Sequence, residues 1–304
     1  MPLVSVIMKS YNHEKFLAEC IESVLGQDFG DFELIIVDDA STDASRQIID
    51  SYAAKDLRIQ VIFHEFNKGI SKTVNDGIDA ARGQFVAQID SDDVWVADKL
   101  TKQLAVLERD EDLIVWSEVE LIDHAGRSIG KSFSESCGGV SKKKTGDIFQ
   151  DLVKGNYILG STVLYKKTNL GEIRYDESLM YINDFKFYLE LARQHQFHYI
   201  AEPLAKYRLH SSNVLTGTSS EVMKRRQIAK REYASILEES IRQYDHEITP
   251  KTKANMYASL AGLYYSLSQK KKGLRCLLQA VRYNPSYPKL LLKRRLSNLL
   301  SSCT

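Results

Sequence analysis

The sequence predicts an α/β fold in which helices flank a mostly parallel β-sheet, followed by an α-helical C-terminal extension. The first ninety residues contain four short apolar runs that are rich in β-branched or aromatic residues, as is typical of buried strands. These runs are residues 4–8, 34–37, 59–63 and 85–89. Apolar residues recur at helical spacing in the segments between them. Strands that alternate with helices indicate a parallel sheet with right-handed crossovers.

The pattern beyond residue 110 is less regular. Residues 113–117, 119–122 and 197–201 are strand-like, and residues 184–195 have the apolar spacing of an amphipathic helix. Residues 126–146 are rich in glycine, serine and lysine, which predicts a mobile loop.

The chain is long enough for two domains. From about residue 219 the pattern is helical, so we expect an α/β domain at residues 1–215 and a helical extension at residues 216–304. Several residues of the extension match marker positions of a tetratricopeptide-like helix pair, and we interpret this part as a helical hairpin.

The composition is that of a globular protein, with 43% hydrophobic and 27% charged residues among 304. It excludes wholesale disorder, collagen and coiled coils. No apolar run approaches the roughly 18 residues of a membrane span, and the N-terminus lacks the layout of a signal peptide. The four cysteines form no CxxC pair and suggest reduced thiols, so we expect a cytoplasmic protein.

Charge is distributed unevenly along the chain. Residues 219–304 contain 17 basic and 6 acidic side chains, whereas residues 1–218 contain 24 basic and 34 acidic ones. A basic C-terminal part that also contains many leucines favours a peripheral contact with an anionic membrane surface. A homo-oligomer or a protein partner is an alternative, and no nucleic-acid-binding motif accompanies the charge.

Carboxylates follow two of the four predicted strands. Asp38 and Asp39 come after the second strand, and Asp90, Asp92 and Asp93 come after the fourth. Parallel strands bring their carboxyl ends to one edge of the sheet, where ligands of such folds bind. The sequence contains neither GxGxxG after the first strand nor a P-loop. The carboxylates therefore predict a site for Mn²⁺ or Mg²⁺ that neutralises a phosphate-bearing substrate.

Four sequence motifs resemble, in order and spacing, those of the family 2 glycosyltransferases with a GT-A fold, a Rossmann-like α/β architecture. The motifs are VSVIMKSYN at residues 4–12, IIVDDASTD at 35–43, NKGIS at 67–71 and QIDSDD at 88–93. Residues 203–210 resemble the closing segment of the family's pattern. The resemblance covers residues 3 to roughly 213 and implies a nucleotide-sugar-dependent transferase.

The resemblance also implies which residues bind the donor nucleotide. Lys9, Ser10 and Tyr11 would line the nucleotide pocket, with Tyr11 or its backbone beside the base. Asp39 would accept a hydrogen bond from a uracil or thymine ring. Lys68 and Gly69 would lie along the edge of the nucleoside.

A metal site and a catalytic base follow from the same resemblance. Asp90, Ser91 and Asp92 correspond to the DxD motif, in which Asp92 would ligate the metal and Asp90 would hold the ribose or a metal-bound water. Asp184 is the candidate catalytic base, because it lies where the family commonly has Glu-Asp ahead of an amphipathic helix. His210 is a candidate contact to the metal or the diphosphate.

These roles imply an inverting, metal-dependent transfer of sugar from a UDP-sugar to a hydroxyl of a glycan or lipid-linked cell-envelope acceptor. A carboxylate takes the proton of the acceptor hydroxyl, and a cation absorbs the charge of the leaving diphosphate. Two alternatives stay open. One is a nucleotidyltransferase; the other is a catalytically inactive sugar-nucleotide or glycan-binding module, since Asn183 stands in place of the family's glutamate.

Overall fold

A computed structural model describes most of the chain and shows two compact units. The described residues are 1–136, 144–210, 213 and 219–286. The first unit comprises Met1–Phe149 and Asn156–Val222, and the second comprises Gln150–Gly155 and Met223–Thr304. As functional domains, residues 1–215 and 216–304 stay a prediction.

Within the described residues, nine strands form one sheet flanked by helices. The strands are β1 Val4–Ser10, β2 Phe32–Asp38, β3 Ile59–Phe63, β4 Phe85–Asp90, β5 Val94–Trp95, β6 Ile114–Ile122, β7 Ser128–Ser132, β8 Leu164–Lys166 and β9 Phe197–Arg208. The helices up to the end of β9 are α1 Leu17–Leu25, α2 Ser45–Ala53, α3 Ile70–Ala80, α4 Lys99–Leu107, α5 Phe133–Ser136, α6 Phe149–Leu152 and α7 Asn183–Gln194.

The strand order is β3-β2-β1-β4-β8-β6-β9-β5, with β7 paired to β6 outside this path. The first four strands are parallel, as the alternation of strand and helix predicts. Beyond β4 the sheet is mixed, because β8 runs antiparallel to both β4 and β6 while β9 is parallel to β6. The predicted α/β fold class is confirmed, and the strands of the first half of the sheet, β1 to β4, are all parallel.

Three local predictions differ from the structure. Residues 113–117 and 119–122 form one strand, β6, because β9 pairs with both halves across an irregularity in register at Glu118. For the same reason β9 continues to Arg208 instead of ending near residue 201. The segment predicted as a mobile loop contains β7 and α5, and its residues 137–143 lie outside the described part.

The main core lies between the sheet and helices α1 and α4. Val6, Met8, Leu17, Ile21 and Leu100 are completely buried there. Burial of each such side chain contributes about 1.5–3 kcal/mol of transfer free energy. This packing holds the carboxyl ends of β1 and β4 rigidly beside each other.

Gly83 allows β4 to begin close to β1. A Cβ at this position would lie 2.5 Å from the backbone nitrogen of Ser5 and 2.7 Å from the carbonyl carbon of Val4. Since a backbone in mid-sheet cannot yield, we expect Gly83→Ala to lower the free energy of unfolding by about 1–3 kcal/mol. Chemical denaturation measures this change. Gly30→Ala is the matched control, because a Cβ at Gly30 meets nothing within 4 Å; equal losses in both variants would contradict the argument.

The C-terminal helices are α8 Ser220–Gln243, α9 Pro250–Ser266 and α10 Lys270–Tyr283. Helix α9 begins after Thr249, whose hydroxyl accepts a hydrogen bond from the backbone of Thr252. Tyr257 of α9 stacks on Tyr283 of α10 beside the buried Ala254 and Ala280. These contacts agree with the predicted hairpin.

None of the helices in the described ranges combines the length and the apolar character that crossing a bilayer requires. The leucine-rich basic segment beyond residue 286 lies outside the described residues.

Candidate active site

The carboxyl ends of β1, β2 and β4 meet at one edge of the sheet. Ser10 is the register partner of Asp38, and Lys9 is the register partner of Asp90. The backbone N–H of Asp39 donates to the Ser10 carbonyl at 2.9 Å, which continues the ladder past β2. The parallel topology therefore brings together residues that lie some thirty to eighty positions apart in the sequence.

The Asp39 carboxylate forms a rigid, buried acceptor at this edge. Its Oδ1 accepts the backbone N–H of Lys68 at 2.7 Å, and its Oδ2 accepts that of Gly69 at 2.9 Å. His64 Nδ1 lies 2.7 Å from Oδ1. Gly69 has φ +87°, a conformation that favours glycine. Since an ionised carboxylate has about four lone-pair sites, Asp39 keeps acceptor capacity for one more donor.

The side chains of Ser10 and Tyr11 differ in their exposure to solvent. The Ser10 side chain is buried, and its hydroxyl donates to Asp38 Oδ1 at 3.2 Å. Tyr11 is 47% exposed beside this end of β1. The Ser10 side chain therefore stabilises the end of β2 through Asp38, and the exposed ring of Tyr11 is accessible to a ligand. The side chain of Lys68 is exposed, with its ammonium over the ring of Phe66.

Asp92 lies beside two imidazole rings. Its Oδ2 is 3.0 Å from His210 Nε2 and 3.8 Å from His13 Nε2. One potential ligand atom from each residue lies within 4.8 Å of the others. The opposite ring nitrogen of His13, Nδ1, is 2.8 Å from the hydroxyl of Ser91, a contact that orients the ring. A carboxylate and two imidazoles at this spacing fit a divalent cation.

Electrostatics and hydrogen bonds keep Asp92 ionised and in place. Burial alone would raise the pKa of Asp92, but the hydrogen bond from His210 and the charges of His13 and His210 lower it below its usual value. The buried guanidinium of Arg208 donates to the Asp92 carbonyl at 2.9 Å and pairs with Glu19 at 2.6 Å. The loop after β4 is thus tied to β9 and α1.

Asp93 has a structural role in this loop. Ser161 Oγ donates to its Oδ2 at 2.6 Å, and the backbone N–H of Arg208 donates to its Oδ1 at 3.2 Å. Burial, together with the charges of Asp92 and Asp90, raises the pKa of Asp93 well above its usual value. This carboxyl group connects the loop to its neighbours.

Asp184 lies in the first turn of α7. Its Oδ1 accepts the backbone N–H of Phe185 at 2.7 Å, and its Oδ2 accepts the amide of Asn156 at 3.0 Å. Desolvation raises the pKa of Asp184 to about 6, although the Phe185 N–H and the Lys9 charge act against the increase. A carboxylate with this pKa is a stronger base than an exposed aspartate and is still ionised at neutral pH.

Asn183 anchors the start of α7. Its side chain is buried and donates to Ser71 Oγ at 2.9 Å, while its Oδ1 accepts the backbone N–H of Asp184 at 2.8 Å. The amide thus fixes the turn that carries Asp184 without adding a second charge.

Family membership follows from the sequence of this same region. The profile described as Glycosyl transferase family 2 matches residues 5–173, more than half of the chain. The chain belongs to glycosyltransferase family 2. The predicted family and the assignment as a glycosyltransferase enzyme are confirmed.

One relative and two solved structures illustrate the likeness of this glycosyltransferase to known proteins. The GalNAc(5)-diNAcBac-PP-undecaprenol beta-1,3-glucosyltransferase of Campylobacter jejuni is 28% identical over 298 residues, 96% of this chain and 92% of the relative. S. aureus TarS 1–349 in complex with UDP matches at 20% identity and a TM-score of 0.58, over 95% of this chain and 92% of that one. The mannosyltransferase PcManGT of Pyrobaculum calidifontis, in complex with GDP-Man and Mn²⁺, matches at 14% identity and a TM-score of 0.63, over 97% and 80%. The two structures confirm the GT-A fold.

The structure of this family 2 glycosyltransferase brings the predicted site residues to one edge of the sheet. They form three groups: one around Asp39, a metal-type group around Asp92 and one around Asp184. The Asp39 group contains Ser10, Tyr11, Lys68 and Gly69, the metal-type group contains Ser91 and His210, and the charge of Asp90 acts on Asp184.

Sequence reasoning missed His13. No metal-ligand spacing marks His13, but its position just after the first motif, beyond the carboxyl end of β1, was a usable signal. Lys9, which the resemblance assigns to the nucleotide pocket, has its ammonium 2.7 Å from Asp90 Oδ1.

Proposed function

We propose that this glycosyltransferase is an inverting, metal-dependent enzyme that moves a sugar from a UDP-sugar to a hydroxyl of a glycan or lipid-linked cell-envelope acceptor. The observation that carries the proposal is the arrangement of three groups along one sheet edge: a buried carboxylate with remaining acceptor capacity, a carboxylate beside two imidazoles, and a carboxyl group with a raised pKa. Asp39, Asp92 and Asp184 are the central residues of these groups.

The cation would be held by His13, Asp92 and His210. A carboxylate suits both Mn²⁺ and Mg²⁺, whereas imidazole ligands are more typical of first-row transition metals, so we infer Mn²⁺. When bound, the cation neutralises the charge that develops on the leaving diphosphate. The Mn²⁺ named with PcManGT supports this inference.

Uridine is the nucleoside that we infer for the donor. The Asp39 carboxylate retains acceptor capacity after its contacts with Lys68, Gly69 and His64, and the imide N–H of uracil is a suitable donor. The UDP named with TarS is consistent with a uridine donor in this fold.

Asp184 would act as the base toward the acceptor. A hydroxyl is a poor nucleophile at neutral pH, so its proton must pass to a carboxylate as the bond to the anomeric carbon forms. Attack from the face opposite the diphosphate inverts the configuration at that carbon. Asn156 and the α7 backbone fix the carboxylate for this transfer.

The pH dependence of transfer should follow Asp184. Because only the ionised carboxylate accepts a proton, and because its pKa is about 6, we expect kcat/KM for the acceptor to fall about tenfold per pH unit below pH 6 and to level off above pH 7. Initial rates at saturating donor between pH 5 and 9 measure the profile. An acid limb near pH 4, as for an exposed aspartate, would contradict the assignment.

We infer that the enzyme acts at the cytoplasmic face of a membrane. The undecaprenol in the name of the Campylobacter relative supports a lipid-linked acceptor. Residues 251–304 carry eleven Lys or Arg and no Asp or Glu, a charge that suits anionic lipids. Flotation with anionic and neutral liposomes, with and without residues 286–304, tests this location; equal flotation in all four cases would disprove it.

Incubation with UDP-sugars, Mn²⁺ and candidate acceptors, followed by detection of UDP and of the glycosylated product, tests the function. A rise in melting temperature with UDP and Mn²⁺ but no product would favour the catalytically inactive binding module. Release of pyrophosphate from UTP and a sugar phosphate would favour the nucleotidyltransferase.

A further inference from the structure

His64 is a buried histidine that lies directly against Asp39. It follows β3 and is 3% exposed. Its backbone N–H donates to the Asp38 carbonyl at 2.9 Å, which fixes the residue at the carboxyl edge of the sheet. Its ring lies between two carboxylates: Nδ1 is 2.7 Å from Asp39 Oδ1, and Nε2 is 3.0 Å from Asp76 Oδ2 on α3. The imidazole therefore connects the Asp39 group to a helix that packs beside the sheet.

The neighbours of the ring decide which of its nitrogens carry protons. Burial works to raise the pKa of Asp76, but hydrogen bonds with Lys72 and His64, together with their charges, lower it below its usual value. Asp76 is therefore ionised at neutral pH, and its Oδ1 accepts from the Lys72 ammonium at 2.7 Å. An ionised carboxylate only accepts hydrogen bonds, so a ring held between two of them donates from both nitrogens. The bond from Nε2 to Asp76 thus orients the ring with Nδ1–H toward Asp39.

The two oxygens of Asp39 are occupied unequally. Oδ1 accepts from the Lys68 backbone at 2.7 Å and from the ring of His64. Among the described residues, Oδ2 accepts from the Gly69 backbone alone, at 2.9 Å. Each carboxylate oxygen has about two lone-pair sites, so Oδ1 is filled and Oδ2 keeps one. The remaining acceptor capacity of Asp39 is confined to one oxygen because His64 fills the other.

We propose that His64 is a positioning residue for the donor nucleotide: it fills Oδ1 of Asp39 and leaves Oδ2 as the acceptor for the imide N–H of uracil. The proposal rests on the proposed function in one respect, the uridine of the donor. Without the imidazole, only the backbone of Lys68 and Gly69 would hold the carboxylate, and Oδ1 would have an open site for water. His64 acts on the nucleotide through Asp39.

His64→Phe tests the proposal, because phenylalanine fills the space of the ring but donates no hydrogen bond. The informative quantity is the ratio of the affinities for UDP and for N3-methyl-UDP, in which a methyl group replaces the imide proton. We expect the wild type to prefer UDP at least about tenfold, since the imide N–H would donate to a charged acceptor. In His64→Phe this preference should fall at least about fivefold, with weaker binding of UDP and little change for N3-methyl-UDP. Calorimetric titration in the presence of Mn²⁺ measures both affinities.

Two further variants separate a positioning role from a structural one. His64→Asn keeps an N–H donor near the place of Nδ1 and should retain most of the wild-type preference. His246→Phe makes the same substitution as the test variant at an exposed histidine and should bind both nucleotides like the wild type. A purely structural loss would weaken UDP and N3-methyl-UDP equally in His64→Phe. That outcome overturns the proposal, as does a loss of preference in His64→Asn as large as in His64→Phe.

Nitrogen-15 NMR of the wild-type histidine rings provides a test without any nucleotide. At neutral pH we expect chemical shifts of protonated nitrogen for both Nδ1 and Nε2 of His64, assigned by their loss in His64→Asn. An Nδ1 without a proton overturns the proposal.

The binding data also separate this inference from the proposed function. A wild type that binds UDP and N3-methyl-UDP equally would refute the uridine donor and, with it, the role of His64. A wild type that prefers UDP, with the whole preference retained in His64→Phe, would refute the role of His64 alone.

Discussion

Replacement of Asp184 by asparagine is expected to lower kcat for sugar transfer by about 10²–10⁴-fold while the affinity for UDP changes less than about twofold. Asparagine keeps the size of the side chain, but an amide cannot take the proton of the acceptor. The contacts of Asp184 are with Asn156 and the α7 backbone, apart from the Asp39 and Asp92 groups that would hold the nucleotide. Steady-state rates at saturating donor and calorimetric titration with UDP and Mn²⁺ measure the two effects.

Asp176→Asn is a matched control for this variant. Asp176 is a partly exposed aspartate of the same unit that pairs with Lys186 at 2.8 Å. Its hydrogen bonds with Lys186 and Ser178 outweigh its desolvation and lower its pKa to about 2, so it is ionised throughout the working range. We expect its replacement to leave kcat nearly unchanged. Near-normal transfer by Asp184→Asn would place the catalytic base elsewhere.

The second large effect is expected for Asp92→Asn, which should abolish Mn²⁺-dependent binding of UDP and lower transfer by more than about 10²-fold. The variant removes the charge and one oxygen ligand while it preserves the shape of the loop. The backbone carbonyl of Asp92 still accepts from Arg208, so the fold around it should persist. Calorimetry with Mn²⁺, followed by UDP, reports both losses.

Variants of the two histidines should give graded losses. His13→Ala and His210→Ala each remove one imidazole from the group, and we expect excess Mn²⁺ to restore part of their activity, as it would not for Asp92→Asn. Asp79→Asn, at an exposed aspartate that pairs with Arg174, is the matched control and should bind Mn²⁺ and UDP like the wild type. Unchanged Mn²⁺ affinity in Asp92→Asn would exclude this group as the metal site.

The half of the sheet formed by β1 to β4 was predictable from the sequence because its strands are short apolar runs separated by helices. Such strands are continuous apolar runs, and their parallel arrangement forces their carboxyl ends to one edge. The sequence pattern therefore predicts that Asp39, Asp90 and Asp92 lie at the same edge of the sheet. The resemblance to family 2 then assigned roles to them.

The second half was less predictable because its pairing depends on contacts between distant segments. The strand β6 continues through Glu118 because β9, some eighty residues later, pairs with both of its halves. A local sequence pattern does not contain this information, so it predicts two separate strands on either side of residue 118. The added length of β9 brings Arg208 and His210 to Asp92.

The sequence by itself determined the fold class, the family and the set of carboxylates at the edge of the sheet, because strand periodicity and motif order are local properties of the chain. Only the tertiary structure decided which charges meet. It turns His13 toward Asp92 and Lys9 toward Asp90, although the two residues lie four positions apart. Lys9 is still within β1 and points to one face of the sheet, whereas His13 lies in the turn beyond it. Side-chain direction at the end of a strand depends on where the strand stops, and packing determines that point.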